Sequence, residues 1–269
     1  MKGWAAALAL FAVVVAAAIG LWVTWDSTQT SATGPQDHDA LTLPSTTDVT
    51  AAPGKRTRVT EPAPPCTAGD GTVTADPDHD WARVVIDTGH RLSPTYAPAD
   101  LVSVTGAGFT NADQVRAFVI PDLTALRVAA ERAGAPLHVV SAYRSYSYQE
   151  QLFQQRSDEV GEAQASLRTA RPGHSEHQLG TAIDVLDPAN AELTPAFATT
   201  EQGHWVAAHA YEFGFVLSYP EDGRATTCYE YEPWHLRYVG RDVAAAIHEA
   251  QLTPRQWMLS KAGRAGNGG

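Results

Sequence analysis

Apolar and polar residues are distributed along this chain in three regimes, one after another. Residues 3–25 carry no charge and form a continuous Ala-, Val- and Leu-rich run, with Trp22 and Trp25 near its end. About 20 such residues in a helix span the hydrocarbon of a bilayer, and indole rings favour its interface. Lys2 precedes the run and Asp26 follows it, so residues 1–26 are expected to be a single-pass anchor with the remainder of the chain outside. A cleavable signal peptide is the alternative; it usually has a shorter apolar core and a small-residue cleavage site, whereas this run ends in bulky Trp-Val-Thr-Trp. Both readings export the rest of the chain: to the cell membrane with the domain extracytoplasmic, or into the medium. Residues 27–76 show neither helical nor strand periodicity and are rich in Thr, Ser, Pro, Ala and Asp, as expected of a disordered tether.

From residue 77 to 260 the periods of folded elements return, and residues 261–269 read as a flexible tail. Apolar positions at Val115, Phe118, Val119, Leu123, Leu126 and Val128 predict a helix capped by Asn111 and running to Arg132. Leu137 to Ser141 predicts a strand, Tyr148 to Ala170 a helix, and Thr181 to Leu186 a buried strand. A helix is predicted from Thr200 to Tyr211, strands over residues 214–219 and 234–239, and a closing helix from Arg241 to Ala250. This irregular alternation predicts an α+β fold, with a small, mainly antiparallel sheet flanked by helices and the functional site in a central cleft.

Composition narrows the function classes. Hydrophobic residues make up 44% of the 269 positions and charged residues 18%, enough for a sizeable core. The formal net charge is -11, which argues against nucleic acid as a partner, since that binding needs clustered Lys and Arg. The chain has two cysteines, Cys66 and Cys228, and no CxxC pair, so a cysteine-ligated structural zinc is not expected. In an exported domain these two are expected to form a disulfide rather than remain free thiols.

Three segments concentrate metal-capable and catalytic side chains: Ser175-Glu176-His177-Gln178-Leu179-Gly180-Thr181-Ala182-Ile183-Asp184, Glu230-Tyr231-Glu232-Pro233-Trp234-His235, and Ser141-Ala142-Tyr143-Arg144-Ser145-Tyr146 with Gln149 beyond it. Asp184 sits inside an apolar strand, where a carboxylate is costly unless paired or metal-bound. Taken alone, Asp184 has an ordinary explanation in a turn or an Arg partner. Glu232 and His235 flank Pro233, whose interruption of strand pairing can turn both side chains into one cleft; taken alone, they are equally a surface Glu and a packed His. Together the segments supply two imidazoles and a carboxylate, a suitable set for a catalytic zinc that keeps one open position. Glu232 remains as a base for the water. Of the other histidines, His174 is close enough in sequence to line the site, while His138, His204, His209 and His248 read as packing or surface residues.

The order and spacing of Ser-Glu-His-Gln-Leu-Gly-Thr-Ala-Ile-Asp, Tyr-Glu-Pro-Trp-His-Leu-Arg-Tyr-Val-Gly and the upstream Tyr-Arg-Ser with Gln149 resemble the VanY-type D-alanyl-D-alanine carboxypeptidases of the M15 zinc peptidase family, over roughly residues 80–240. The resemblance implies one Zn2+ held by His177, Asp184 and His235, with Glu232 as catalytic base. It places Arg144 in the active site, as oxyanion partner or as clamp for the substrate's terminal carboxylate, and makes Ser145, Gln149 and Ser175 candidates for binding substrate. The implied activity is removal of the C-terminal D-Ala from peptidoglycan stem peptides; separately, the chain is expected to be a monomer. An L,D-carboxypeptidase, a dipeptidase or a peptidoglycan endopeptidase on the same site, and a non-catalytic wall-binding domain, are the alternatives.

Overall fold

The computed structural model describes residues 66–189 and 192–260. The strands are β1 (Gly71–Thr72), β2 (His90–Arg91), β3 (Leu101–Ser103), β4 (Gln114–Arg116), β5 (His138–Ser141), β6 (Ala182–Leu186), β7 (Phe215–Leu217) and β8 (His235–Tyr238). The helices are α1 (Ile120–Arg132), α2 (Tyr146–Val160), α3 (Glu162–Ala165), α4 (Glu201–His209), α5 (Arg224–Thr227), α6 (Arg241–Ala250) and α7 (Pro254–Leu259). The main sheet has the order β5-β6-β8-β7, antiparallel throughout. β3 and β4 form a separate antiparallel pair, and β1 and β2 a short parallel one. The fold is α+β with small, mainly antiparallel sheets flanked by helices, as the sequence pattern predicts.

Both faces of the main sheet are covered, and they carry different chemistry. Side chains alternate across a strand. On one face Ile183 and Val185 of β6 meet Leu236 and Tyr238 of β8 in a core that also holds Val119, Leu123 and Leu126. On the opposite face lie Asp184, His235 and Arg237, all at most 3% exposed. Every residue of β6 is buried, so the strand reads in sequence as an apolar run with one acid in it.

Local chemistry explains the element ends. α1 begins later than expected: residues 114–116 are a strand, residues 117–119 a 3-10 turn, and the helix starts at Ile120 with Pro121 in its first turn. Proline lacks an N–H and has a helical φ, so it suits this position and marks the start better than Asn111 does. The expected Tyr148–Ala170 helix is broken at Gly161, whose φ of 84° ends α2 and leaves only the short α3 beyond it. Thr200 caps α4, its hydroxyl accepting from the Gly203 N–H at 3.0 Å. A Cβ on Gly203 would sit 2.0 Å from the Phe197 carbonyl oxygen, so only glycine permits that approach. α7 carries a Thr253/Gln256 capping box, which apolar periodicity alone does not reveal.

The chain is tied down well before residue 77. Cys66 and Cys228 are joined in a disulfide with Cα atoms 5.3 Å apart. Arg171 donates to the Gly69 carbonyl at 2.7 Å and the Thr88 carbonyl at 3.1 Å. Residues 66–76, expected in the tether, therefore belong with the folded unit. The rest of the tether, the expected anchor and the tail lie outside the described residues; among the described residues no helix is long and apolar enough to cross a membrane.

Asp87 holds this N-terminal stretch to α7. Its carboxylate is 2% exposed, accepts from Arg255 Nε at 2.6 Å, and receives the Gly89 and His90 N–H groups at 2.9 Å each. Burial opposes its charge, but the bonds from Arg255 and His90 outweigh burial and lower its pKa. A carboxylate with a lowered folded pKa adds stability above its unfolded pKa of about 3.9 and loses it as pH falls through the folded value. Asp87→Asn is expected to cost about 3 kcal/mol at pH 7. Urea denaturation of both proteins across pH should show that difference shrinking below about pH 4; a pH-independent difference would discount the charge.

Candidate metal centre and cleft

The site is built on one cross-strand register. Asp184 of β6 is paired with His235 of β8, and Ser141 of β5 lies against Asp184 on the other side. Asp184 Oδ1 is 3.0 Å from His235 Nδ1. The third member arrives from a buried 3-10 turn, Glu176–Leu179, which the left-handed Gly180 closes at φ 76°. A Cβ on Gly180 would press against Arg116 Cγ at 3.0 Å, so glycine is required on both counts. His177 Nε2 then lies 3.3 Å from Asp184 Oδ2 and 3.2 Å from His235 Nδ1.

The donor set fits a divalent cation. One ligand atom from each of His177, Asp184 and His235 lies within 4.8 Å of the others. The second ring nitrogen of each histidine has its own partner, which decides which nitrogen faces the centre. His177 Nδ1 donates to the Ala142 carbonyl at 2.6 Å, leaving Nε2 to face inward. His235 Nε2 donates to Glu176 Oε2 at 3.0 Å, leaving Nδ1 inward. Two imidazoles and one carboxylate, held by three backbone elements, form a typical three-residue set for a catalytic zinc.

Glu176 is the functional residue that sequence reasoning missed. It accepts from His235 Nε2, from Ser218 Oγ at 2.6 Å and from Arg237 Nη1 at 2.9 Å. Burial alone would raise its pKa, but Arg237, His235 and Ser218 together hold it at about 2. Arg237 is 1% exposed and also donates to the Trp81 and Val84 carbonyls at 3.0 and 2.7 Å. Two signals were present: Arg237 is two residues past His235 on a strand and so shares its face, and that buried cation needs a carboxylate.

The surroundings shift the two imidazoles in opposite directions. Burial, with Arg144 adding to it, lowers His177 to about 4, so its ring is neutral and suited to binding a metal. Burial would lower His235 too, but its hydrogen bonds to Asp184 and Glu176 raise it to about 10. Glu232 is pushed up to about 7, first by burial and then by the Asp184 charge, with His235 opposing. Its Oε2 lies 3.9 Å from His235 Nδ1, and a turn closed by the His235 N–H on the Glu232 carbonyl at 3.1 Å brings it there through Pro233.

Glu232 and Asp184 sit at the inner end of a cleft of about 280 Å³ whose walls include Arg144, Gln149, Tyr231 and Trp234. Arg144 Nη1 lies 3.1 Å from Ser141 Oγ and 3.5 Å from Asp184 Oδ2. Gln149 is 1% exposed; its amide nitrogen donates to the Ala170 carbonyl at 2.7 Å, while its oxygen has no partner among the described residues. Ser145 caps α2, its hydroxyl accepting from the Tyr148 N–H at 3.2 Å, and does not line the cleft. Ser175 is buried before the His177 turn, also outside the cleft lining. His174 does not line it either: it bonds the Asp87 carbonyl at 2.7 Å and Asp70 at 3.3 Å, holding the N-terminal stretch. Trp234 is both core and cleft wall. Two other grooves, about 700 and 640 Å³, lie elsewhere and include none of the metal-capable trio.

The family model for VanY, described as D-alanyl-D-alanine carboxypeptidase, matches residues 112–241, a span that contains the whole centre. Residues 112–241 thus carry a VanY-type domain. Among similar proteins, the "putative carboxypeptidase YodJ" of Bacillus subtilis (strain 168) is 37% identical over 179 residues, 64% of this chain and 65% of its own length. This chain thus spans just under two thirds of that relative. The solved LdcB LD-carboxypeptidase superposes with a TM-score of 0.62 at 33% identity, covering 72% of this chain and 92% of that one. A vancomycin-resistance D,D-pentapeptidase VanY, solved as a mutant in complex with Zn(II), gives 0.58 at 27% identity over 66% of this chain and 99% of that one.

Glu176 is expected to fix the His235 ring rather than to touch any ligand. Glu176→Gln should weaken divalent-metal affinity about 10–100-fold, measured by chelator competition. Unchanged affinity in a folded Glu176→Gln protein would remove that role.

Proposed function

We propose that this protein is a zinc-dependent D-alanyl-D-alanine carboxypeptidase that trims peptidoglycan stem peptides outside the cytoplasm. The observation that carries the reading is the cross-strand Asp184–His235 pair, joined by His177 and with the Glu232 carboxylate 3.9 Å from His235 at the head of a cleft. In this reading His177, Asp184 and His235 hold the ion. Bound zinc supplies a Lewis acid for the scissile carbonyl and makes its water acidic near neutral pH.

The chain's own residues do the rest. Glu232, at the head of the cleft, takes the proton of the attacking water and returns it to the leaving amine. Arg144, on the cleft wall, receives the terminal carboxylate of the substrate through its guanidinium fork or steadies the oxyanion. Gln149 offers its unpartnered oxygen to a substrate N–H. The VanY match over residues 112–241 supports the chemistry. The uncharged run at residues 3–25 and the Cys66–Cys228 disulfide support an exported, membrane-attached protein.

A second reading, L,D-carboxypeptidase, is favoured by the likeness to LdcB at 33% identity. The two differ in the bond cut. Full-length protein incubated with synthetic stem pentapeptide and tetrapeptide, with and without chelator, should release D-Ala from the pentapeptide alone; release from the tetrapeptide alone would establish the L,D reading. Glu232→Gln should lose about 10²–10⁴-fold in kcat while still binding zinc. An active Glu232→Gln protein would dismiss the assigned base.

A further inference from the structure

The cleft does not end at its inner cavity. An outer groove of about 310 Å³ is lined by Arg156, Val160, Gln164, Leu167, Arg168 and Glu230. Arg156 and Arg168 also line the inner cleft, so they stand where the two volumes meet. With Arg144 they place three guanidinium groups along one channel of a chain whose formal net charge is -11. The two carboxylates of the inner cleft, Asp184 and Glu232, are at its far end beside the histidines. Glu230 faces the outer groove as its single acid.

Neither outer arginine is used up by its protein partner. Arg156 donates through Nη1 to Glu159 at 2.8 Å and Arg168 through Nε to Glu230 at 2.5 Å. A guanidinium carries five N–H donors in a fork that matches a carboxylate. Their side chains are 41% and 61% exposed, so a ligand reaches them without burying an unpaired charge.

We propose that Arg156 and Arg168 form an anion subsite that binds a free carboxylate on the substrate peptide, upstream of the residue engaged at the metal centre. This rests on the peptidase reading and extends it from the bond cut to the peptide preferred. The subsite selects peptides whose acidic side group is left free over those in which it is amidated.

The test uses the full-length protein and two synthetic peptides ending in D-Ala-D-Ala, identical except that one upstream carboxylate is free or amidated. The ratio of kcat/KM, free over amidated, is expected to be about 10 at low salt, carried by KM, and to shrink as salt screens the pair. Arg156→Gln/Arg168→Gln should bring the ratio close to one. Arg156→Lys/Arg168→Lys should restore part of it, since charge survives and the fork does not. Equal cleavage of both peptides by the wild type, or an unchanged ratio in the Gln variant, overturns the subsite and leaves the peptidase reading standing. Cleavage of neither peptide overturns that reading, and the subsite with it.

Discussion

The structure depends most on keeping one buried carboxylate ionised. Glu176 and Arg237 are both buried, and removing two charges from water costs several kcal/mol per ion unless every lone pair and proton finds a partner. Here Ser218, His235 and two main-chain carbonyls supply most of them. Because Arg237 is two residues from His235 on β8, and Glu176 is next to His177, this pair joins the two histidine-bearing elements behind the candidate metal centre. The histidines are thus located by a charge network that itself touches no ligand.

Side-chain bonds of the same kind also grip the N-terminal stretch. Arg237 takes the carbonyls of Trp81 and Val84, Arg171 those of Gly69 and Thr88, and His174 that of Asp87. Main-chain carbonyls in an irregular segment must bond to something once they are buried. Here cationic and imidazole side chains do it alongside the short β1–β2 pair. The segment has little periodic structure because its backbone is satisfied from outside, and the disulfide to Cys228 closes the same seam.

The same division decides how much of the site is legible in the sequence. β6 was legible because burial on both faces leaves an uninterrupted apolar run, and Asp184 was legible as the one acid inside it. His235 and Glu232 were legible through Pro233, whose turn sets them side by side. Glu176 was not, because its meaning comes from Arg237, 61 positions away, and emerges only when β8 pairs with β6. The inclusion of residues 66–76 in the folded unit was hidden for a similar reason: polar, Pro-rich composition looks the same in a free tether and in a strap held by its carbonyls. The α1 start was set by Pro121, a local signal that outranked the cap assigned to Asn111.

The cleft divides into a fixed inner end and an adjustable outer one. Around Asp184 and His235 each ring nitrogen has a stated partner and exposure is at most 3%, so a substitution there disturbs a packed, charged network. At the outer rim Arg156 and Arg168 are bound to the protein by one exposed ion pair each, an interaction generally worth no more than about 1 kcal/mol. Side chains so loosely held can be exchanged at little cost in stability. Chemistry that must be invariant therefore sits where change is expensive, and any selection among peptides, as proposed for these two arginines, sits where change is cheap.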